Sequence, residues 1–363
     1  MYRFNDLTIN DPLKIIFLCG SKFNNEHYDK RIVLKRYLEQ KQNIYPLILE
    51  ENYEFFVDKL KKFQEKIPYS EINLDNLFKV ESLTASISDG IIIIHETDST
   101  AAEMGIFATN PIIRKKMCIL IPNEYCIDGK SISNFLRLAF FRNNNDIFRI
   151  EYFPETSIYY QSENVSRYHT KFNDNKIGDR LGKSIDTYIS RYTKKNIKLK
   201  ISRVLYGKIN SEDNTYKIDD DNKKVEVYFN IETIKYYVYS LFTINEYRRE
   251  IRKTTTINKC VNLTSQWFNE ILFNTISEKA DSSIDGYKIV CSINDFYKID
   301  IKFKQVIAYS LYVLDGIGFI DLPFNKSFSI SKNINNNLSQ LKALISKENY
   351  EEGLFWWLKK ILL

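Results

Sequence analysis

The chain has 363 residues, 44% of them hydrophobic and 27% charged, with a net charge of +6. That length suits two domains, and the composition excludes a chain whose main state is disorder. No apolar run approaches the roughly 20 residues that a membrane-spanning helix needs, and residues 1–11 lack the basic start and apolar stretch of a secretory signal, so a cytoplasmic protein with no membrane partner is expected.

Residues 13–19 (LKIIFLC) form a short, almost wholly apolar run that stops at Gly20, as a buried parallel strand does. A helical pattern over 29–40 places Ile32, Val33, Tyr37 and Leu38 near one face, and a second apolar run covers 44–49. A Lys-rich amphipathic stretch (53–65) and a helix over 74–87 come next, the latter carrying Leu77, Val80, Leu83, Thr84 and Ile87. Residues 90–95 (GIIIIH) are the strongest strand in the chain, a polar loop (96–100) leads into a helix over 101–108, and 116–122 (KMCILIP) is a further strand. Strands alternating with helices predict an α/β fold, a parallel sheet sandwiched by helices, over residues 1–150.

Residues 151–363 read differently, as a mainly helical domain. A long basic helix is expected over 177–200, a polar loop or hairpin over 210–224, several helices between 233 and 278, and a further helix over 301–315. Two strand-like pieces, GFIDL and SFSIS, then flank residues 323–326, so that helix plus hairpin has the outline of a winged helix. Residues 1–150 hold 20 Lys+Arg against 20 Asp+Glu, so the whole basic excess falls in 151–363, the half better suited to meet phosphates. The five cysteines show no CxxC pair, and Cys19 and Cys118 lie in apolar strands, which points to buried thiols in a reducing compartment. With three histidines in the chain, neither a metal site nor a histidine relay is expected, and no cofactor is called for.

The chemistry concentrates at 88–105, SDGIIIIHETDSTAAEMG. In open parallel sheets, ligands gather where the carboxyl ends of strands meet the following loops and helices. Glu96, Asp98, Ser99, Thr100 and Glu103 all follow the GIIIIH strand, and Gly20-Ser21 would offer backbone N–H groups at the same edge. A plainer reading stands beside this one: Ser99 or Thr100 caps the helix, and Thr100-Ala-Ala-Glu103 is a capping box that needs no substrate. His95 reads either as a substrate contact or as a satisfied structural residue. Arg114 and Lys115-Lys116 read either as phosphate contacts or as a solvated basic turn.

The run IFLCGSKF (16–23), Glu81 eight residues before Asp89, the acidic loop from Glu96 and the end STAAEMG resemble nucleoside 2-deoxyribosyltransferases. More narrowly, they resemble effector proteins of bacterial retrons that join such a domain to a C-terminal winged helix. The resemblance covers about residues 13–125 and extends more loosely to 301–331. It implies a sheet of deoxyribosyltransferase or flavodoxin-like type and a glycosyl-cleaving enzyme. Glu103 would be the nucleophile that attacks C1′ of a ribosyl group, and Asp89 the acid that holds the sugar or base. Gly20, Ser21, Glu81, Glu96, Asp98, Ser99 and Thr100 would line the substrate site, and Gly105 would let the backbone approach closely.

Two departures from the transferases alter the expected reaction. Phe17 stands where they carry a Tyr whose hydroxyl steadies the nucleophile, and Asp98-Ser99-Thr100 replaces the glycine before the nucleophile's helix. Nicotinamide leaves NAD as a neutral molecule and needs no acid at the base, so hydrolysis of NAD, a substrate rather than a cofactor, is favoured over base exchange. The resemblance further implies an antiphage toxin held in check by a retron reverse transcriptase and multicopy single-stranded DNA with its RNA, and a homo-oligomer. Lys302, Lys304 and Lys326 would contact phosphates. Tyr and Lys interleave over 234–252 and 298–312, either as stacking platforms for nucleotides or as core tyrosines at helical spacing. The apolar end Trp356-Trp357-Leu358 is expected to pack on protein. A metabolic deoxyribosyltransferase and a non-catalytic nucleotide sensor are the alternatives.

Overall fold

A computed structural model describes residues 1–20, 29–52, 77–96, 98–122, 147–152, 172–173, 176–204, 213–280, 283–294, 301–323 and 327–347. The chain forms two compact units, and neither is continuous in sequence. One runs from Asp11 to Phe55 and from Val80 to Lys195, and the other includes Met1–Asn10 and everything from Asn196 onward. Against the single boundary expected at residue 150, the first unit thus continues to Lys195. The first ten residues, strands β1 (Tyr2–Phe4) and β2 (Leu7–Asn10), group with the C-terminal half.

The α/β unit is built on five parallel strands: β3 (Lys14–Cys19), β4 (Ile44–Leu47), β5 (Gly90–Ile94), β6 (Met117–Pro122) and β7 (Phe148–Tyr152). They lie in the order β4-β3-β5-β6-β7. Counted within this sheet, that is 2-1-3-4-5, the flavodoxin-like order of doubly wound sheets. Its strands are near-continuous apolar runs because both faces are covered. Ile16, Leu18, Ile92, Ile94, Cys118, Leu120, Ile150 and Tyr152 pack beneath helix α1 (Lys30–Glu39) and a helix over Asp179–Tyr192. The alternate residues face the other way, where Phe17 meets Phe107 with ring centroids 6.2 Å apart. Cys19 and Cys118 are buried free thiols.

Short helices α2 (Leu49–Asn52) and α3 (Leu77–Ile87) precede β5, and α4 (Asp98–Ala108) and α5 (Pro111–Arg114) follow it. The expected basic helix is shorter than its sequence pattern. It spans Asp179–Tyr192 as α6, and Asn196–Leu199 forms a strand that pairs antiparallel with β2. The reason is visible in NIKL, whose residues alternate exposed and buried at the period of a strand. Tyr188 fixes α6 to the amino edge of the sheet. Its hydroxyl accepts the Ile91 N–H at 2.9 Å and donates to the Lys116 carbonyl. Gly90 is required there, since a Cβ would lie 2.7 Å from that hydroxyl.

The C-terminal unit is helical around a small sheet in which Asn214–Asp219 and Lys224–Asn230 form a hairpin, running past the span 210–224 expected as a polar loop or hairpin. Helices α7 (Ile231–Ser240), α8 (Asn245–Ile251), α9 (Ile257–Lys279) and α10 (Phe303–Gly316) supply its core. The N-terminal strand is part of that core: the Phe4 ring lies 5.0 Å from Tyr237 and 5.6 Å from Phe268. Tyr236, Tyr237, Tyr239, Tyr247, Tyr309 and Tyr312 are all buried, so these tyrosines are core and not stacking platforms. After α10, Ile320–Asp321 pairs antiparallel with Ser329–Ile330, as a helix-plus-wing outline requires. Yet α10 is buried at every position from Gln305 to Leu314, so it is a core helix and presents no face to a groove. Lys302 and Lys304 are exposed at its start, and Lys326 and the Trp356-Trp357 end lie outside the described residues.

Asp315, at the end of α10, accepts the Leu322 N–H at 2.8 Å. Burial, followed by the nearby charge of Asp321, pushes its carboxyl up from 3.8 to about 6. A carboxyl raised on folding adds stability below its ordinary value, and that contribution is lost as pH climbs toward about 6. Asp315→Asn keeps an acceptor for Leu322 without the charge. It should therefore stabilise the protein by about 1 kcal/mol near about pH 7.5, allowing for solvent screening of a group partly open to water. Urea unfolding at about pH 7.5 and about pH 4 tests this, with the gain expected only at the higher value.

Candidate active site

In a sheet of order 2-1-3-4-5 the strand order reverses between β3 and β5, and the crevice outside their carboxyl ends is where ligands bind. Here the chain leaves β3 toward α1 on one face and leaves β5 toward α4 on the other. Gly20, the start of α1 and the residues after β5 therefore lie at one carboxyl edge, where the crevice is expected.

From the β3 side come Gly20 and the start of α1. A Cβ on Gly20 would lie 3.1 Å from the Arg31 side chain and 3.4 Å from Ile94, so glycine permits this close approach. Asp29 caps α1, accepting the Arg31 backbone N–H at 3.0 Å, and its carboxylate grips the buried Arg31 guanidinium at 2.9 and 3.1 Å. A carboxylate with its own counter-ion thus already occupies the amino end of α1.

From the β5 side come His95, Glu96, Thr100 and Glu103. Helix α4 begins at Asp98, which puts Thr100 inside its first turn rather than at its cap. The capping-box reading is corrected accordingly. The Thr100 hydroxyl instead serves the incoming loop, accepting the Glu96 N–H at 3.4 Å and lying 3.3 Å from His95 Nδ1. Thr100, Met104 and Phe107 form the buried stripe of α4. Glu103 is half-buried, three residues after Thr100 and four before Phe107, so it stands beside this stripe. Its Oε2 is shielded from solvent. Phe17 packs on Phe107, one helical turn further along. The helix turns that carry Asp98 and Ser99 are described, but their side chains are not, and Ser21 lies outside the described residues.

Three sequence expectations change. Asp89 precedes β5, at the amino edge of the sheet, whereas Glu103 follows its carboxyl end. Five strand residues, about 16 Å, separate the two ends. Asp89 pairs with Ile15, accepting its N–H through Oδ2 at 2.8 Å and donating its own N–H to the Ile15 carbonyl at 2.8 Å. It extends the β3–β5 ladder and does not join the crevice. Glu81 lies half-buried in the first half of α3. Lys116 belongs to no solvated turn: it is buried, and its ammonium donates to the carbonyls of Ser86 at 2.7 Å, Ser88 at 2.9 Å and Ala85 at 3.4 Å. Gly105 is exposed, and a Cβ there would meet nothing within 4 Å, so no close approach explains it. Gly105→Ala should therefore raise stability by about 0.5–1 kcal/mol, read as a higher urea midpoint, with the crevice untouched.

Sequence reasoning missed Lys30 and Tyr152. Lys30, the first residue of α1, forms an ion pair with Glu96 Oε1, and the Tyr152 hydroxyl at the end of β7 donates to the same oxygen at 3.0 Å. Burial, then the negative charge of Glu96, then their hydrogen bond hold the Tyr152 phenol far above its ordinary value, so it stays a donor. No spacing in the sequence joins these residues, since it is the strand order that brings them to one edge.

A family model described as the STM3845 retron effector protein matches residues 27–322, most of the chain. The chain belongs to that family. This retron effector is also 34% identical over 122 residues to an Escherichia coli protein named "Retron Ec73 putative ribosyltransferase/DNA-binding protein". The match covers 33% of this chain and 35% of that relative's length.

Proposed function

We propose that the α/β unit of this retron effector cleaves an N-glycosidic bond with Glu103 as a carboxylate nucleophile, and that its substrate is NAD. One observation carries the reading. Glu103 projects from the helix that leaves the switch-point strand, with one carboxylate oxygen shielded from water, at the edge where such sheets take ligands. The ribosyltransferase named among the relatives supports the same class of chemistry. A Glu103 oxygen attacks C1′ of the nicotinamide ribose while the C1′–N bond breaks. The bonding pair leaves with the ring, which departs as neutral nicotinamide, and a glycosyl ester remains. Water then attacks C1′, giving ADP-ribose, the free carboxylate and a proton. No acid is needed for the leaving group. The Tyr152 phenol, held high by burial and by Glu96, would be a poor one in any case.

The test incubates the full chain with NAD, and separately with deoxynucleosides plus a free base. Release of nicotinamide is expected. Base exchange without nicotinamide release, or tight binding without turnover, would overturn the reading. The C-terminal unit is proposed to hold the retron's multicopy single-stranded DNA with its RNA and the reverse transcriptase. Residues 196–363 carry 24 Lys+Arg against 20 Asp+Glu, and this excess, the exposed Lys302 and Lys304, and the DNA-binding name of the relative support this. A gel shift with structured single-stranded DNA, with and without the reverse transcriptase, tests it, and an unshifted probe in both lanes would count against it.

A further inference from the structure

Glu96 is held at the crevice from two directions. Its two side-chain contacts come from elements far apart in sequence, Lys30 at the start of α1 and Tyr152 at the end of β7, and both fall on Oε1. The Lys30 and Glu96 side chains are largely buried, at 17% and 16% exposure, and Tyr152 is wholly buried. Lys30 also lies 5.8 Å from the centre of the Tyr152 ring, so the three groups form one cluster. A third bond fixes the backbone, since the Glu96 N–H is taken by Thr100 at 3.4 Å. Among the described residues Oε2 accepts no hydrogen bond, and it is not among the oxygens shielded from solvent. The result is a carboxylate immobilised through one oxygen, with the other open, seven residues from Glu103 at the carboxyl edge of β5. A carboxylate at a strand's carboxyl end is a natural acceptor for ribose hydroxyls.

We propose that Lys30 and Tyr152 are positioning residues that hold Glu96 Oε2 as the acceptor for the 2′-hydroxyl of the ribosyl group being cleaved, so that the site selects ribosyl over 2′-deoxyribosyl substrates. The proposal rests on the reading of the crevice as a glycosyl-cleaving site and adds which sugar it takes. A site built to accept a hydroxyl discriminates against the analogue lacking it, because its polar group is then left unmatched. Lys30 supplies charge and Tyr152 a neutral donor, so losing either loosens the carboxylate without removing it.

The experiment compares NAD with NAD lacking the 2′-hydroxyl of its nicotinamide ribose. Equilibrium binding is measured by calorimetry on full-length Glu103→Gln protein, and nicotinamide release is measured on the wild type. The Glu103→Gln protein should bind the hydroxylated ligand at least about 10-fold more tightly, the effect of one hydrogen bond to a charged group. Adding Glu96→Gln, Lys30→Met or Tyr152→Phe should shrink that ratio toward one, and Lys30→Arg should restore most of it. A purely structural role would weaken both ligands alike and leave the ratio unchanged. An unchanged ratio in these variants overturns the proposal, as does equal binding of the two ligands at the outset or binding of neither. Discrimination in binding with no nicotinamide release from the wild type would uphold the clamp on Glu96 and sink the hydrolysis reading, so the two fail separately.

Discussion

Glu103→Gln should lower the rate of nicotinamide release by at least about 1,000-fold, equivalent to about 4 kcal/mol of barrier, while leaving the fold intact. The amide has the shape of the carboxylate but not its charge, and it is a poor nucleophile toward C1′. The choice of glutamine also separates the two readings of this residue. A glutamate that only braced the start of a helix would be replaced by glutamine almost without loss, because both serve at that position. A variant that melts with the wild type but no longer turns over NAD therefore assigns the carboxylate to chemistry. A variant that keeps more than about a tenth of the activity would remove Glu103 from the mechanism. Because α4 starts at Asp98, the bracing role already lacks its geometry.

The sheet and the helix that bears Glu103 were legible in the sequence because burial on both faces leaves a plain mark. GIIIIH and LKIIFLC could be little else than strands covered on both sides, and the observed strands Gly90–Ile94 and Lys14–Cys19 lie within them. What failed was the reading of which end of a strand a residue occupies. Asp89 is close to Glu103 in sequence, yet β5 runs between them, so proximity along the chain became separation along the sheet. The Lys30–Glu96–Tyr152 cluster failed for the opposite reason. Its members lie up to 122 residues apart, and only the strand order brings them together. The second unit was harder still. Its tyrosines fit a core and a stacking surface equally well by spacing, and burial decided for the core. Alternation in a four-residue strand such as NIKL is too short to outweigh the helical pattern before it.

The largest loss of stability is expected for Lys116→Met. Methionine matches the lysine stem in length and apolar character, so the substitution removes chiefly the ammonium. In the native protein that ammonium closes the end of α3, where the last carbonyls of a helix have no partner within it. Ser86 and Ser88 receive it at 2.7 and 2.9 Å, and Ala85 more loosely at 3.4 Å. A positive charge there also complements the negative end of the helix. With methionine those carbonyls would stay buried without their donor, at a cost of about 1–3 kcal/mol for each group that cannot reach water. The two short bonds dominate, so a total near about 3 kcal/mol is expected, or a fall in melting temperature of about 6–12 °C for a unit of this size. The same lysine ties two further elements to this corner, since its backbone carbonyl takes the Tyr188 hydroxyl and the Ile91 N–H at 3.0 Å. Loosening the Lys116 side chain should therefore also weaken the docking of α6. Non-additivity of Lys116→Met with Tyr188→Phe in a double-mutant cycle would measure that coupling. If Lys116 were a solvated phosphate contact, Lys116→Met would change stability by less than about 0.5 kcal/mol, and urea unfolding of the full chain decides between the two.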